Sequence, residues 1–123
     1  MANLEGLYSI LSENRAEQGC EYAVRLNPEH CIYRAHFPGQ PITPGVCILQ
    51  IAIDLLVRFA EKPLGLVKAK NIKFLNIIDP QKTPEATYSF NKILFEDGLW
   101  QAQVNVTAAG VTCAKLSIIC KEI

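Results

Sequence analysis

The feature that most constrains this chain is a long apolar run with one polar stripe, "VCILQIAIDLLVRFA", from Val46 to Ala60. Gln50, Asp54 and Arg58, with Glu61 just beyond, recur at steps of four, four and three. That spacing puts them on one side of a helix. The apolar remainder covers more than half of the circumference, so other elements must wrap the helix. The polar breaks also leave the run too short and too polar to span a bilayer. Its start is well marked. Thr43 can cap, Pro44 suits the first turn, and Gly45 lets another group come close to the exposed backbone N–H groups. Pro63 and Gly65 mark its end. On the local pattern alone, the stripe is the wetter side of the helix, with Asp54 paired to Arg58 at i, i+4.

Most of the remaining chain reads as strand. "LYSILSE" and "CEYAVRLN" precede the helix, joined through "EQG", and the second alternates apolar Cys20, Tyr22, Val24 and Leu26 with a polar face. After the helix, "GLVKAKNIKFLNII" predicts a strand bent near its middle, where the alternation slips. "EATYSF" alternates again, "EDG" ending at Gly98 signals a hairpin, and Trp100, Ala102, Val104 and Val106 alternate with polar residues. "VTCAKLSII" closes the chain as a last strand. One helix among six strands predicts an α+β fold, an antiparallel sheet of about six strands with one long helix on its concave face. The 123 residues suit a single domain over 1–123.

Charge and cysteines narrow the function classes. Twelve basic residues balance twelve acidic ones, so no global field draws the chain to nucleic acid or a membrane surface. The five cysteines are odd in number and no pair has CxxC spacing. They read as reduced core thiols in a reducing compartment, not as disulfides or zinc ligands. "MANLEGLYSI" lacks the basic start and long apolar stretch of a signal peptide. A cytoplasmic protein is expected.

Just before the helix stands "YRAHFPGQPITPGVCILQ". It holds His36, Phe37, Pro38, Gly39, Pro41, Pro44, Gly45 and Val46 in the pattern His-Phe-Pro-Gly-x-Pro-x-x-Pro-Gly-Val. This pattern resembles the signature of the β-hydroxyacyl-acyl-carrier-protein dehydratases, hot-dog enzymes of fatty acid synthesis. The resemblance covers most of the chain from about Leu7 onward. It implies a hot-dog fold, a subunit that is at least dimeric, and a site shared between subunits. It implies His36 as the base that takes the α-proton of a 3-hydroxyacyl thioester. It implies that the N–H groups of Gly45 and Val46 stabilise the resulting enolate oxygen. Phe37, Pro38, Gly39, Pro41 and Pro44 would shape the loop that presents the base. The family's general acid, a Glu or Asp, lies fourteen residues after the histidine and serves the neighbouring subunit's site. Here that position is Gln50. An amide has no proton to give at neutral pH, so it can orient a hydroxyl or a water but cannot be the acid. Asp54 is the candidate substitute acid, about 5.4 Å further along the helix.

The resemblance implies an acyl thioester ligand, on acyl carrier protein or on coenzyme A, with no cofactor and no metal. Three readings stay open: a dehydratase-like lyase of fatty acid or polyketide/polyene type synthesis, a catalytically weak acyl-binding subunit of a mixed hot-dog dimer, and an acyl thioesterase. A homodimer or higher homo-oligomer and a heterodimer with another hot-dog chain are the expected assemblies. Other features have plainer readings. His30 reads as a loop histidine. Cys47 sits where the helix dipole would lower a thiol pKa, but no base accompanies it, so it reads as small apolar packing. Lys62, Lys68, Lys70 and Lys73 are either a landing patch for an acidic carrier or ordinary sheet-edge lysines.

Overall fold

The structure, a computed structural model, describes residues 5–36 and 39–123, with His36 described by its backbone alone. The strands are β1 (Tyr8–Arg15), β2 (Cys20–Leu26), β3 (Leu64–Phe74), β4 (Glu85–Glu96), β5 (Leu99–Ala108) and β6 (Val111–Glu122). The helices are α1 (Cys31–His36) and α2 (Gly45–Ala60), both between β2 and β3. All six strands form one antiparallel sheet in the order β1-β2-β4-β5-β6-β3. The chain therefore leaves β2, runs through α2, and lands on the opposite edge of the sheet as β3. This is the hot-dog arrangement that the motif's resemblance implied, with the short α1 added to the single helix expected.

Alternation builds the inner face. Tyr22 and Val24 of β2, Tyr88 and Phe90 of β4, Val104 and Val106 of β5, and Leu116 and Ile118 of β6 are all buried. Against them α2 buries Cys47, Ile48, Ile51, Ala52, Ile53, Leu55 and Leu56. Each large side chain sealed in this way contributes about 1.5–3 kcal/mol of hydrophobic free energy. The Tyr88 hydroxyl, fully enclosed, donates to the Ile48 carbonyl at 3.0 Å, tying the sheet to the helix without leaving a polar orphan.

The expected bend in β3 appears as two register shifts, between Leu66 and Lys68 and between Ala69 and Asn71. The "EDG" turn has Asp97 and Gly98 both at positive φ, as a two-residue type I′ hairpin needs. Ala109 and Gly110 repeat that geometry between β5 and β6. β4 is longer than its alternating stretch predicts. A shift between Phe90 and Lys92 breaks the period, and the strand then continues to Glu96.

The start of α2 corrects one expectation. Pro44 is the N-cap residue, and no side chain caps the helix. Thr43 is occupied elsewhere. Its hydroxyl meets that of Tyr33 at 3.1 Å, and its N–H donates to the Ile78 carbonyl at 2.9 Å. It thus joins α1, the segment after β3 and the entry to α2 in one buried knot.

Candidate functional site

Residues on both sides of that knot enclose an open cavity of about 300 Å³ at the N-terminus of α2. Ile42, Thr43, Pro44, Gly45 and Ile48 form one wall, and Phe74 to Ile78 form the other. A second recess, of about 510 Å³, continues it past Gly39, Gln40 and Pro41, sharing Ile42 and Ile77. The walls are largely apolar and incompletely covered: Phe74, Leu75 and Ile77 are all exposed, as is Val46 beside them in sequence on α2. Gly45 lets the Phe74 ring rest on the helix start. A Cβ at this position would lie 2.7 Å from Cζ of Phe74, so any larger residue would push that ring away. Pro44 accepts the N–H groups of Cys47 and Ile48 at 2.9 and 3.1 Å. Among the described residues, the N–H groups of Gly45 and Val46 have no acceptor.

The expected loop residues Gly39 and Pro41 line the second recess, and Pro44 lines the first. Phe37, Pro38 and the His36 side chain lie outside the described residues. The His36 backbone ends α1, three residues before Gly39.

Gln50 and Asp54 are not in the cavity wall of their own chain. They lie half-buried on the stripe of α2, which β1 partly covers. The Asp54 carboxylate accepts from Gln50 Nε2 at 2.9 Å and from the Tyr8 hydroxyl at 3.3 Å. Burial, and then the charge of Asp54, push the Tyr8 phenol up, so it stays a donor. The expected Asp54–Arg58 pair is absent. Arg58 instead bonds Glu13 of β1 at 2.9 Å, and Arg15 bonds the same carboxylate. Those two guanidiniums hold the Glu13 carboxyl below its usual range.

The remaining candidates resolve simply. His30 is buried: its Nδ1 accepts the Ile32 N–H at 3.0 Å, so its Nε2 carries the proton given to the Glu5 carbonyl at 3.1 Å. It braces the start of α1 and is not a free loop side chain. Burial pushes the Cys47 thiol up, the opposite of the expected dipole effect, which fits apolar packing. Among the described residues, no group of three or more His, Cys, Asp or Glu side chains could hold a metal ion. Nor is any described helix long and apolar enough to cross a membrane. Lys62 pairs with Glu122 at 3.1 Å. Lys73 faces Lys115 across the β3–β6 ladder, and both line an outer-face recess with Asn71, Asn105 and Gln103.

A family model for ApeI-like dehydratases (ApeI dehydratase) matches residues 12–110. The chain belongs to the ApeI-like dehydratase family. A relative from Latilactobacillus sakei named 3-hydroxyacyl-[acyl-carrier-protein] dehydratase FabZ is 27% identical over 109 residues, covering 80% of this chain and 78% of the relative. A FabZ from Ligilactobacillus salivarius is 27% identical over 103 residues, covering 78% of this chain and 72% of its own. Among solved structures, the dehydratase heterocomplex ApeI:P from Xenorhabdus doucetiae superposes with TM-score 0.68 at 18% identity, covering 93% of this chain and 97% of that one. A Streptococcus pneumoniae thioesterase with coenzyme A gives TM-score 0.66 at 11% identity, covering 98% and 91%. At such identities these two carry the fold alone.

Within the ApeI-like family frame, the sequence reading missed Tyr8 and the wall from Phe74 to Ile78. Tyr8 is 46 residues from Asp54, beyond any local spacing rule. The wall did leave a signal. "LNII" is too apolar for a turn, yet it follows the last paired residue of β3, Phe74.

Proposed function

We propose that this chain acts on acyl thioesters, with the thioester carbonyl held against the N–H groups of Gly45 and Val46. The observation that carries this reading is an apolar cavity at the start of α2, where two helix N–H groups have no acceptor among the described residues. Such donors, fixed before the reaction, favour the charge that develops on an enolate oxygen. In this reading His36 takes the Cα proton of a 3-hydroxyacyl thioester. The C–H electron pair moves onto the thioester oxygen, then returns to form Cα=Cβ as the β-hydroxyl departs. The departing hydroxyl takes its second proton from solvent, because Gln50 has none to transfer. In the reverse direction a water held at Gln50 attacks Cβ and gives one proton to solvent, and His36 returns a proton to Cα. Phe37, Pro38, Gly39, Pro41 and Pro44 shape the loop beside the base.

The names of the two bacterial relatives support an acyl-carrier-protein substrate, with coenzyme A as the lesser carrier. Fatty acid or polyketide/polyene type synthesis is the setting we assign, in the cytoplasm. Lys68, Lys70 and Lys73, on the strand that leads into the cavity wall, are the landing patch we assign to an acidic carrier. We further propose one hot-dog domain over 1–123 that works as a homodimer. β3 is a sheet edge with exposed Leu66 and Val67, which a second subunit would cover. Gln50 then serves the neighbouring subunit's cavity, consistent with its absence from its own.

One observation favours a second reading, a catalytically weak subunit of a mixed dimer. Gln50 supplies no acid, and the ApeI:P neighbour is itself a heterocomplex. The test is α-deuterium exchange of an acyl thioester, which needs the base and the N–H groups but no acid. His36→Ala should lower exchange by at least about 100-fold. Equal exchange in both proteins would remove His36 from the mechanism. Exchange without net dehydration in the wild type would favour the mixed-dimer reading.

A further inference from the structure

The role proposed for Gln50 depends on which end of its amide meets the substrate. An ionised carboxylate can only accept hydrogen bonds. The 2.9 Å contact with Asp54 Oδ1 therefore fixes Nε2 as the end turned toward Asp54. The other carboxylate oxygen, Oδ2, takes the Tyr8 hydroxyl at 3.3 Å. Asp54 is thus held by one donor from β1 and one from its own helix, a turn away from Gln50. Among the described residues, Gln50 Oε1 has no partner.

Resting on the reading of Gln50 given above, we propose that Asp54, anchored by Tyr8, is a positioning residue that locks the Gln50 amide with Oε1 free as a hydrogen-bond acceptor for a water. Asp54 is then not the displaced acid. Its charge is spent on orienting its neighbour. An amide locked this way can hold a water by one of its protons and aim its lone pair at an electrophilic carbon. It has no proton to transfer to a departing hydroxyl, although its second N–H can still donate a hydrogen bond. Gln50 therefore holds the water that attacks Cβ of an enoyl thioester and, because both directions share one transition state, the same water as it forms in elimination; the same geometry would serve attack on a thioester carbonyl. Asp54→Asn carries a specific consequence. Asn can turn its own Nδ2 toward Gln50 Oε1, which would reverse the amide and present a donor where the wild type presents an acceptor.

The experiment pairs a binding-independent readout with a kinetic one on the dimeric protein. The Gln50 side-chain amide is identified by ¹H–¹⁵N NMR through its loss in Gln50→Ala, and its proton exchange is measured in wild type, Asp54→Asn and Tyr8→Phe. The same samples are assayed for hydration of a short enoyl thioester. Backbone spectra report that each variant is folded. The expected result is one slowly exchanging Gln50 amide proton in the wild type, lost in Asp54→Asn and loosened in Tyr8→Phe. With it, kcat falls at least about tenfold in Asp54→Asn with KM within about twofold, as expected when a transition-state contact alone is lost. Gln50→Ala should fall equally, and the double variant no further. A freely averaging amide in the wild type would overturn the anchor. Full activity in Gln50→Ala with none in Asp54→Asn would overturn it as well, because Asp54 would then be the acid. An anchored amide whose release leaves kcat unchanged would overturn the assignment of Gln50 to the water, and not the anchor.

Discussion

The two ends of α2 are finished in opposite ways. At the C-terminal end the backbone is closed off. Glu61 turns into the left-handed region at φ 57°, and its N–H returns to the Val57 carbonyl at 2.8 Å. Arg15 adds a guanidinium over the Phe59 ring at 4.8 Å, beside the Arg58–Glu13 pair. These contacts complement the negative end of the helix dipole and leave little for a ligand to do. At the N-terminal end no side chain caps, and two N–H groups stay without acceptors among the described residues. The surrounding wall keeps apolar side chains in the open. One end is a structural closure and the other is an unfinished one. In the proposed reading, a thioester with a developing oxyanion completes this unfinished, apolar helix start.

The contrast can be sharpened within two adjacent residues. Ile78 is 1% exposed, whereas Ile77 is 67% exposed on the cavity wall. Ile78→Ala should destabilise the fold by about 2–5 kcal/mol, as expected for emptying a packed site. Ile77→Ala should stay within about 0.5 kcal/mol and weaken acyl binding instead. Urea titration with binding measured on the same samples would separate the two. Equal destabilisation by both would mean that the wall is core and not a ligand surface.

A subtler change tests the open N–H groups. Val46→Pro removes one donor at a first-turn position, where proline costs a helix little. Loss of one such donor should lower α-exchange by about 100-fold with little change in melting temperature. Unchanged exchange would take Val46 out of the proposed oxyanion site.

The smallest effect belongs to the closed end. Because Glu13 is held below its usual range in the folded state, its pairing stabilises at neutral pH, above the unfolded value. That contribution is lost as pH falls through the folded value. Wild type should therefore melt slightly above Glu13→Gln at pH near 7, and the gap should close toward about pH 3. The pair is exposed, so the gap is small. A gap that widened with acid would reverse the sign of the account.

Much of the fold was legible because it is written in local period. The alternation of β2 and β5, the slip in β3 and the apolar circumference of α2 each translated directly into structure. The failures share one physical cause. Thr43 has the chemistry of a cap, but Tyr33 took its hydroxyl, and Asp54 has the right spacing for Arg58, but Tyr8 and Gln50 took its oxygens. In each case a tertiary partner outcompeted a local one, and such partners leave no mark at i, i+4. α1 was missed for a similar reason. It is only six residues long and leans on the buried His30 and the Tyr33–Thr43 contact, with no apolar period of its own. Of the candidate site, Gly39, Pro41 and Pro44 could be named from their motif and line the two recesses, while the wall from Phe74 to Ile78 had to be seen in space.

The central claim is that the N-terminal end of α2 is the thioester-binding end. It is tested most directly by ¹H–¹⁵N NMR titration with an acyl-pantetheine analogue whose thioester sulfur is replaced by a stable amide. The account predicts downfield movement of the Gly45 and Val46 amide protons, with shifts at Asn76 and Ile77, while Arg58, Glu61 and Lys62 stay still. Perturbation centred on Arg58 to Lys62, with Gly45 and Val46 unmoved at saturation, would contradict it.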